Sequence, residues 1–162
     1  MSEPYPVTVV DGVFRFITDH AVTYSARFLE MPLPADVQLA GLVFDFSFFP
    51  DSASAVSSDD GRIAATLFHL IRQFFEASRE HILLFICESG DGKHFARQRL
   101  FSKWRLASDQ TGEFQQLPIE ITVAEPAIVG GLLFRQDHPL REVITDFLQA
   151  EIQLYTDVKG GQ

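Results

Sequence analysis

Leu42-Val43-Phe44-Asp45-Phe46-Ser47-Phe48-Phe49 sets a large apolar side chain at positions 42, 44, 46 and 48, with Asp45 and Ser47 between them. Successive side chains of a strand point to opposite faces, so this stretch reads as a half-buried strand with an aromatic inner face. We place that strand over Leu39–Phe49. Upstream the same alternation recurs. Val7–Val10 and Val13–Ile17 flank Asp11-Gly12, the strongest short hairpin signal, and Val22–Leu29 follows after a turn at Thr18-Asp19-His20. Phe14, Phe16, Val22, Tyr24, Ala26 and Phe28 then share the inner face. Arg15, Thr23, Ser25, Arg27, Asp45 and Ser47 fall on the other, where Arg15, Arg27 and Asp45 are expected to form exposed cross-strand pairs.

Downstream the period changes. Ile63, Leu67, Leu70, Ile71, Phe74 and Phe75 recur at helical spacing, predicting a helix to about Ser78 that Asp59 or Asp60 caps after a small-residue loop. Ile82–Cys87 is short and evenly apolar, as a central strand is; following a crossover helix, it adds a parallel pairing. A second helix is expected over about His94–Leu106, then a turn at Asp109–Glu113 and strands at Ile119–Val123 and Gly130–Phe134. Asp137-His138-Pro139 opens the last helix, with Pro139 in its first turn and Glu142 closing a capping arrangement. The sum is an α+β fold: a predominantly antiparallel sheet with three helices mainly on one face, in two layers. One domain spans 1–162, with a frayed tail at 159–162.

Composition narrows the function classes. The chain has 162 residues, 46% of them hydrophobic, and 16 are Phe, enough for an aromatic core that needs no metal or disulfide. Its one cysteine, Cys87, cannot pair within the chain, and Cys/His spacing for zinc is missing, so neither a metal nor a cofactor is expected. The first residues lack a basic-then-apolar leader, and no apolar run approaches the about 20 residues that cross a bilayer; a cytosolic protein without membrane contact is expected. Net charge is −9, yet Lys93–Arg105 holds five cations and no acid. An acidic chain argues against general nucleic-acid binding and leaves room for a local anion site in that segment.

The segment around it carries what chemistry there is. Cys87-Glu88-Ser89-Gly90-Asp91-Gly92-Lys93 joins a buried strand to a helix, a junction where free helix N–H groups can face an anion. It is not a nucleoside-triphosphate loop, because Cys87 stands where the first Gly is needed and His94 follows the Lys. On the helix, Ala96, Leu100, Phe101 and Trp104 form the apolar stripe; Arg97 falls inside it and must find an acceptor such as Glu88, Asp91 or Asp45, or else a ligand. Arg99, Lys103 and Arg105 point elsewhere. Cys87 with His94 forms a weak nucleophile reading, since a cysteine ending a buried strand is inert.

The run Ile86-Cys87, Asp91-Gly92-Lys93, Arg97, Arg99-Leu100-Phe101 and Trp104, together with Phe46-Ser47-Phe48, Pro50 and the helix Arg62-Ile63 to Phe74-Phe75, resembles a bacterial family described only as a domain of unknown function. The resemblance implies this fold over most of the chain and supplies no reaction. Three function classes remain. The first is a non-enzymatic binding or regulatory protein that recognises a macromolecular partner, most simply a protein, with self-association left open. The second is a nucleic-acid or nucleotide-phosphate binder, and the third a small enzyme at the 88–97 loop. Candidate ligand or partner residues are Asp91, Gly92, Lys93, Arg97, Arg99 and Lys103; no catalytic residue is assigned.

Overall fold

The computed structural model describes residues 2–51, 61–87, 89–90 and 92–160. Its strands are β1 (Thr8–Val10), β2 (Val13–Ile17), β3 (Thr23–Glu30), β4 (Val43–Pro50), β5 (Ile82–Ile86), β6 (Phe114–Ile121) and β7 (Ile128–Arg135). Helices α1 (Arg62–Ala77), α2 (His94–Ser108) and α3 (Arg141–Gly160) are interleaved with them. Among the described residues these seven strands join one sheet in the order β1-β2-β3-β4-β5-β7-β6, and only β4 and β5 pair in parallel, with α1 between them in the chain. The expected α+β fold is present.

The meander follows from the alternation. Asp11 and Gly12 both take positive φ, 53° and 76°, closing the tight turn that pairs Val10 with Val13. Phe14 lies opposite Ala26, Ala26 opposite Phe48, and Phe28 opposite Phe46, so the aromatic faces of β2, β3 and β4 coincide. Their rings stack in series: Phe16 on Tyr24 at 5.5 Å, Tyr24 on Phe48 at 4.9 Å and Phe28 on Phe74 of α1 at 4.6 Å. Each such pair adds about 0.5–1.5 kcal/mol beyond the area it buries.

The fourth strand is shorter than its sequence suggests. Gly41 sits at φ 80°, which breaks the extended run, and β4 begins at Val43. Leu39, fully buried, and Leu42 therefore belong to the other side of the sheet, packed with Val43, Ile82 and Ile119. On the polar face the expected pairs are replaced by a relay, in which Arg15 Nε donates to Ser25 Oγ and Ser25 donates to Asp51 Oδ1 at 2.7 Å. The caps differ too. Gly61 is the N-cap of α1, and Asp59 and Asp60 lie outside the described residues. The last helix starts at Arg141, two residues beyond Pro139, and its entry is held by buried His138, whose Nδ1 accepts from Leu140 N–H at 3.0 Å. His138 Nε2 lies 2.8 Å from the Glu80 carbonyl, which fixes that nitrogen as the donor. Of the tail expected at 159–162, residues 161 and 162 lie outside the described set.

A third layer is the main departure. The aromatic face packs under α1 and α2, whereas Ile144 of α3 joins Ile119, Ile121, Leu132 and Phe134 on the opposite face. β5 and β7 are covered on both sides, which accounts for their evenly apolar sequences.

Candidate functional site

α2 is tied to the sheet by polar groups as much as by apolar ones. Its buried residues are His94, Gln98 and Phe101; Ala96 is exposed, and Leu100 and Trp104 are half-buried. Phe101 meets the Phe85 ring at 4.0 Å and Phe68 of α1 at 5.3 Å. Gln98 reaches past the helix to the strand backbone: Nε2 donates to Gly130 C=O at 2.8 Å and lies 3.4 Å from Ile119 C=O. That approach is possible because β7 carries Gly130-Gly131 at this point, with the Phe85 ring lying against Gly131.

The far end of α2 is fastened by a second set. Buried Asp109 accepts the N–H of Glu113 at 2.8 Å and of Phe114 at 3.0 Å, turning the chain into β6. Arg105 Nη1 stands 3.9 Å from Asp109 Oδ2, and Arg105 Nε donates to Gln116 Oε1 at 2.7 Å. Gln116 in turn donates to Ser102 Oγ at 3.0 Å. Helix and strand thus run side by side with an open groove of about 490 Å³ between them. Gln98, Ser102 and Gln116 line it with amide and hydroxyl groups, and Pro118 and Glu120 bound it on the strand side. Arg99 and Lys103 bound it on the helix side. Both cations are exposed, and among the described residues neither makes an ion pair or hydrogen bond.

The six residues expected to form one site divide. Arg99 and Lys103 lie in this groove. Gly92 and Lys93 are exposed at the start of α2, where Lys93 is the N-cap residue and no side chain caps the helix. Arg97 is half-buried and close enough to Cys87 to draw its pKa down. Burial acts more strongly in the other direction, and the Cys87 thiol sits above its ordinary value of 9.0. Lys93 and Arg97 are both engaged by neighbours, so neither is a spare cation. Asp91 lies outside the described residues, as does Glu88. Asp45, the third acceptor expected for Arg97, is on the wrong face of the sheet: its neighbours Phe44 and Phe46 point toward α1, and Asp45 points away. Burial lifts the Asp45 pKa above 3.8, a rise trimmed by a hydrogen bond from Ser47.

His94 and Cys87 share no hydrogen bond among the described residues, and His94 Nδ1 is buried without a partner. Among those residues no three His, Cys, Asp or Glu side chains gather as a metal site would require. The groove residues that sequence reading missed are Gln98, Ser102, Gln116 and Glu120. Gln98, Phe101 and Arg105 do fall at helical spacing, the one signal that marked Gln98 as inward.

No curated protein and no solved structure matches the chain. A family model matches residues 59–149, from the threshold of α1 to the first half of α3, leaving β1–β4 outside the matched segment. The match covers more than half of the sequence and every residue of the groove, and the chain belongs to the family of unknown function DUF6169.

Proposed function

We propose that the chain is a non-enzymatic binding protein that holds a segment of another protein in the groove between α2 and β6. The observation that carries this reading is the pair of exposed, unpaired cations, Arg99 and Lys103, on the rim of a groove otherwise lined by hydrogen-bonding side chains. The groove is open rather than enclosed, as suits a chain segment better than a small molecule, which a pocket buries over most of its surface. Nucleic acid calls for a stripe of cations along its phosphates, and the groove offers two beside Glu120 on a chain of net charge −9. No described helix is long and apolar enough to cross a membrane.

The test is capture by immobilised protein with and without the double substitution R99E/K103E, identified by cross-linking from the groove. Both residues are exposed, so the variant should fold with a stability within about 0.5 kcal/mol of the parent. Loss of the captured protein by the variant is the expected result. Equal capture by both forms would remove the groove from consideration.

A further inference from the structure

We infer that the groove takes an extended acidic segment that adds to the outer edge of β6 as an eighth strand, with two carboxylates spaced two residues apart meeting Arg99 and Lys103. This rests on the groove being the binding site and names the chemistry of its occupant.

The free edge follows from hydrogen-bond parity. Gln136 N–H donates to Glu113 C=O at 2.8 Å, one step beyond the register in which Phe114 lies opposite Arg135. In an antiparallel pair, hydrogen-bonded and non-bonded positions alternate. Odd-numbered residues of β6 therefore bond inward to β7, and the even-numbered Phe114, Gln116, Pro118 and Glu120 turn their backbone groups outward. Asp109 takes the Phe114 N–H, and Pro118 has none to offer. The N–H groups of Gln116 and Glu120, and the carbonyls of Gln116, Pro118 and Glu120, have no partner among the described residues. A chain laid about 4.8 Å outside β6 finds two donors and three acceptors in place.

Charge and spacing then choose the occupant. Arg99 and Lys103 are one helical turn apart, about 6 Å along α2. Alternate residues of a strand are about 6.8 Å apart and point to the same face, so acids at positions i and i+2 of the added strand match the two cations. Glu120 calls for a neutral or basic residue opposite it, which sets the direction of the segment. A second copy of this chain is the poorer occupant. Two β6 edges paired about a two-fold axis would lose the Pro118 bond twice, and would bring two Glu120 side chains to one interface.

The probe is a fluorescein-labelled peptide, Thr-Val-Glu-Val-Glu-Val-Thr, titrated with the intact protein and read by anisotropy, with Trp104 emission as a label-free check. Saturable binding is expected, weakened at least tenfold by Glu-to-Gln replacement in the peptide and by N-methylation of its edge-facing amides. R99E/K103E should abolish it while leaving the far-ultraviolet spectrum unchanged. Equal binding of the Glu and Gln peptides, indifference to N-methylation, or no saturable binding up to about 1 mM of a peptide this short would overturn the inference. If the peptide fails while R99E/K103E still loses a captured protein, strand addition is wrong and the groove reading stands. If capture survives the double substitution, the groove reading itself is wrong. A wild-type dimer that the peptide dissociates would assign the edge to a second copy and refute the acidic segment.

Discussion

Substituting Gly130 by Ala should damage this protein more than any comparable one-methyl change. A Cβ at Gly130 would lie 2.0 Å from the Phe85 carbonyl oxygen and 3.0 Å from Ile86 Cα. A carbon–oxygen contact settles at about 3.3 Å, so the β5 backbone must retreat by roughly 1.3 Å. That displacement falls where Phe85 and Ile86 pair with Gly131 and Gly130. Overpacking of a close-packed interior costs about 1–3 kcal/mol, and each disturbed ladder hydrogen bond adds about 1. With the two bonds of the Phe85–Gly131 pair the sum is about 3–5 kcal/mol. For a chain of this size it lowers the thermal midpoint by roughly 6–20 °C. Gly131→Ala meets the Phe85 ring at 2.8 Å and the Leu117 carbonyl oxygen at 3.1 Å; the ring can tilt, although Phe101 at 4.0 Å limits it, and about 1–2 kcal/mol is expected. Gly12→Ala meets nothing within 4 Å and bears only its positive φ, about 1 kcal/mol. Scanning calorimetry of the three variants should rank them in that order. A Gly130→Ala midpoint within about 2 °C of the parent, or below neither of the others, would refute the packing argument.

Three further outcomes follow from individual groups. Burial holds the Asp45 pKa above 3.8, so the folded chain pays for its ionised carboxylate at every pH above that raised value, and the penalty fades as pH falls toward 3.8. Asp45→Asn should raise the urea midpoint at pH 7 and leave it unchanged at pH 3; a gain of equal size at both would show that the carboxylate's charge is not the cause. Cys87, raised by burial, should react with iodoacetamide at pH 8 far more slowly in the native protein than in urea, and Arg97→Gln should slow it further, read by mass spectrometry on the one thiol. Faster labelling of Arg97→Gln would contradict the assigned charge effect. His138→Ala removes both a donor to Glu80 and an acceptor for Leu140 at a buried site, and should cost about 2–4 kcal/mol by equilibrium unfolding, against less for His138→Gln.

The meander was legible because a strand covered on one face sets an apolar residue at every second position, and Phe44, Phe46 and Phe48 do so without a break. β6 was read only from Ile119 onward, since Gln115, Gln116 and Pro118 look like loop residues. They belong to an edge strand, where a proline with its nitrogen turned outward costs no ladder bond. The layer formed by α3 was written in the sequence less openly: Ile82–Ile86 and Leu132–Phe134 are apolar on both faces, which asks for cover on both sides. At the site, the charge count led to Arg99 and Lys103. Their separation from Lys93 and Arg97 was not legible, because it depends on the register between α2 and β6, which Gln98 and Gln116 set through hydrogen bonds. Hydrophobic periodicity is blind to a helix whose inward positions are His94 and Gln98.

That same polar fastening explains why a groove exists at all. A helix held by a continuous apolar ridge sinks into its sheet until side chains interdigitate and the space between them closes. α2 has Phe101 buried and Trp104 packed partly against the same core, and on the side facing β6 it is suspended by Gln98 on the Gly130 carbonyl and by the Ser102–Gln116–Arg105–Asp109 chain. Hydrogen bonds fix a distance as well as an orientation, so the helix stands off from β6 and the space between stays open. Replacing the ties with apolar residues of equal length would be expected to close the groove while sparing the fold. The segment from 59 to 149 that matches the family contains α2, β5, β6 and β7, and so contains every one of these ties. The aromatic meander outside it supplies core and breadth; the groove is built within it.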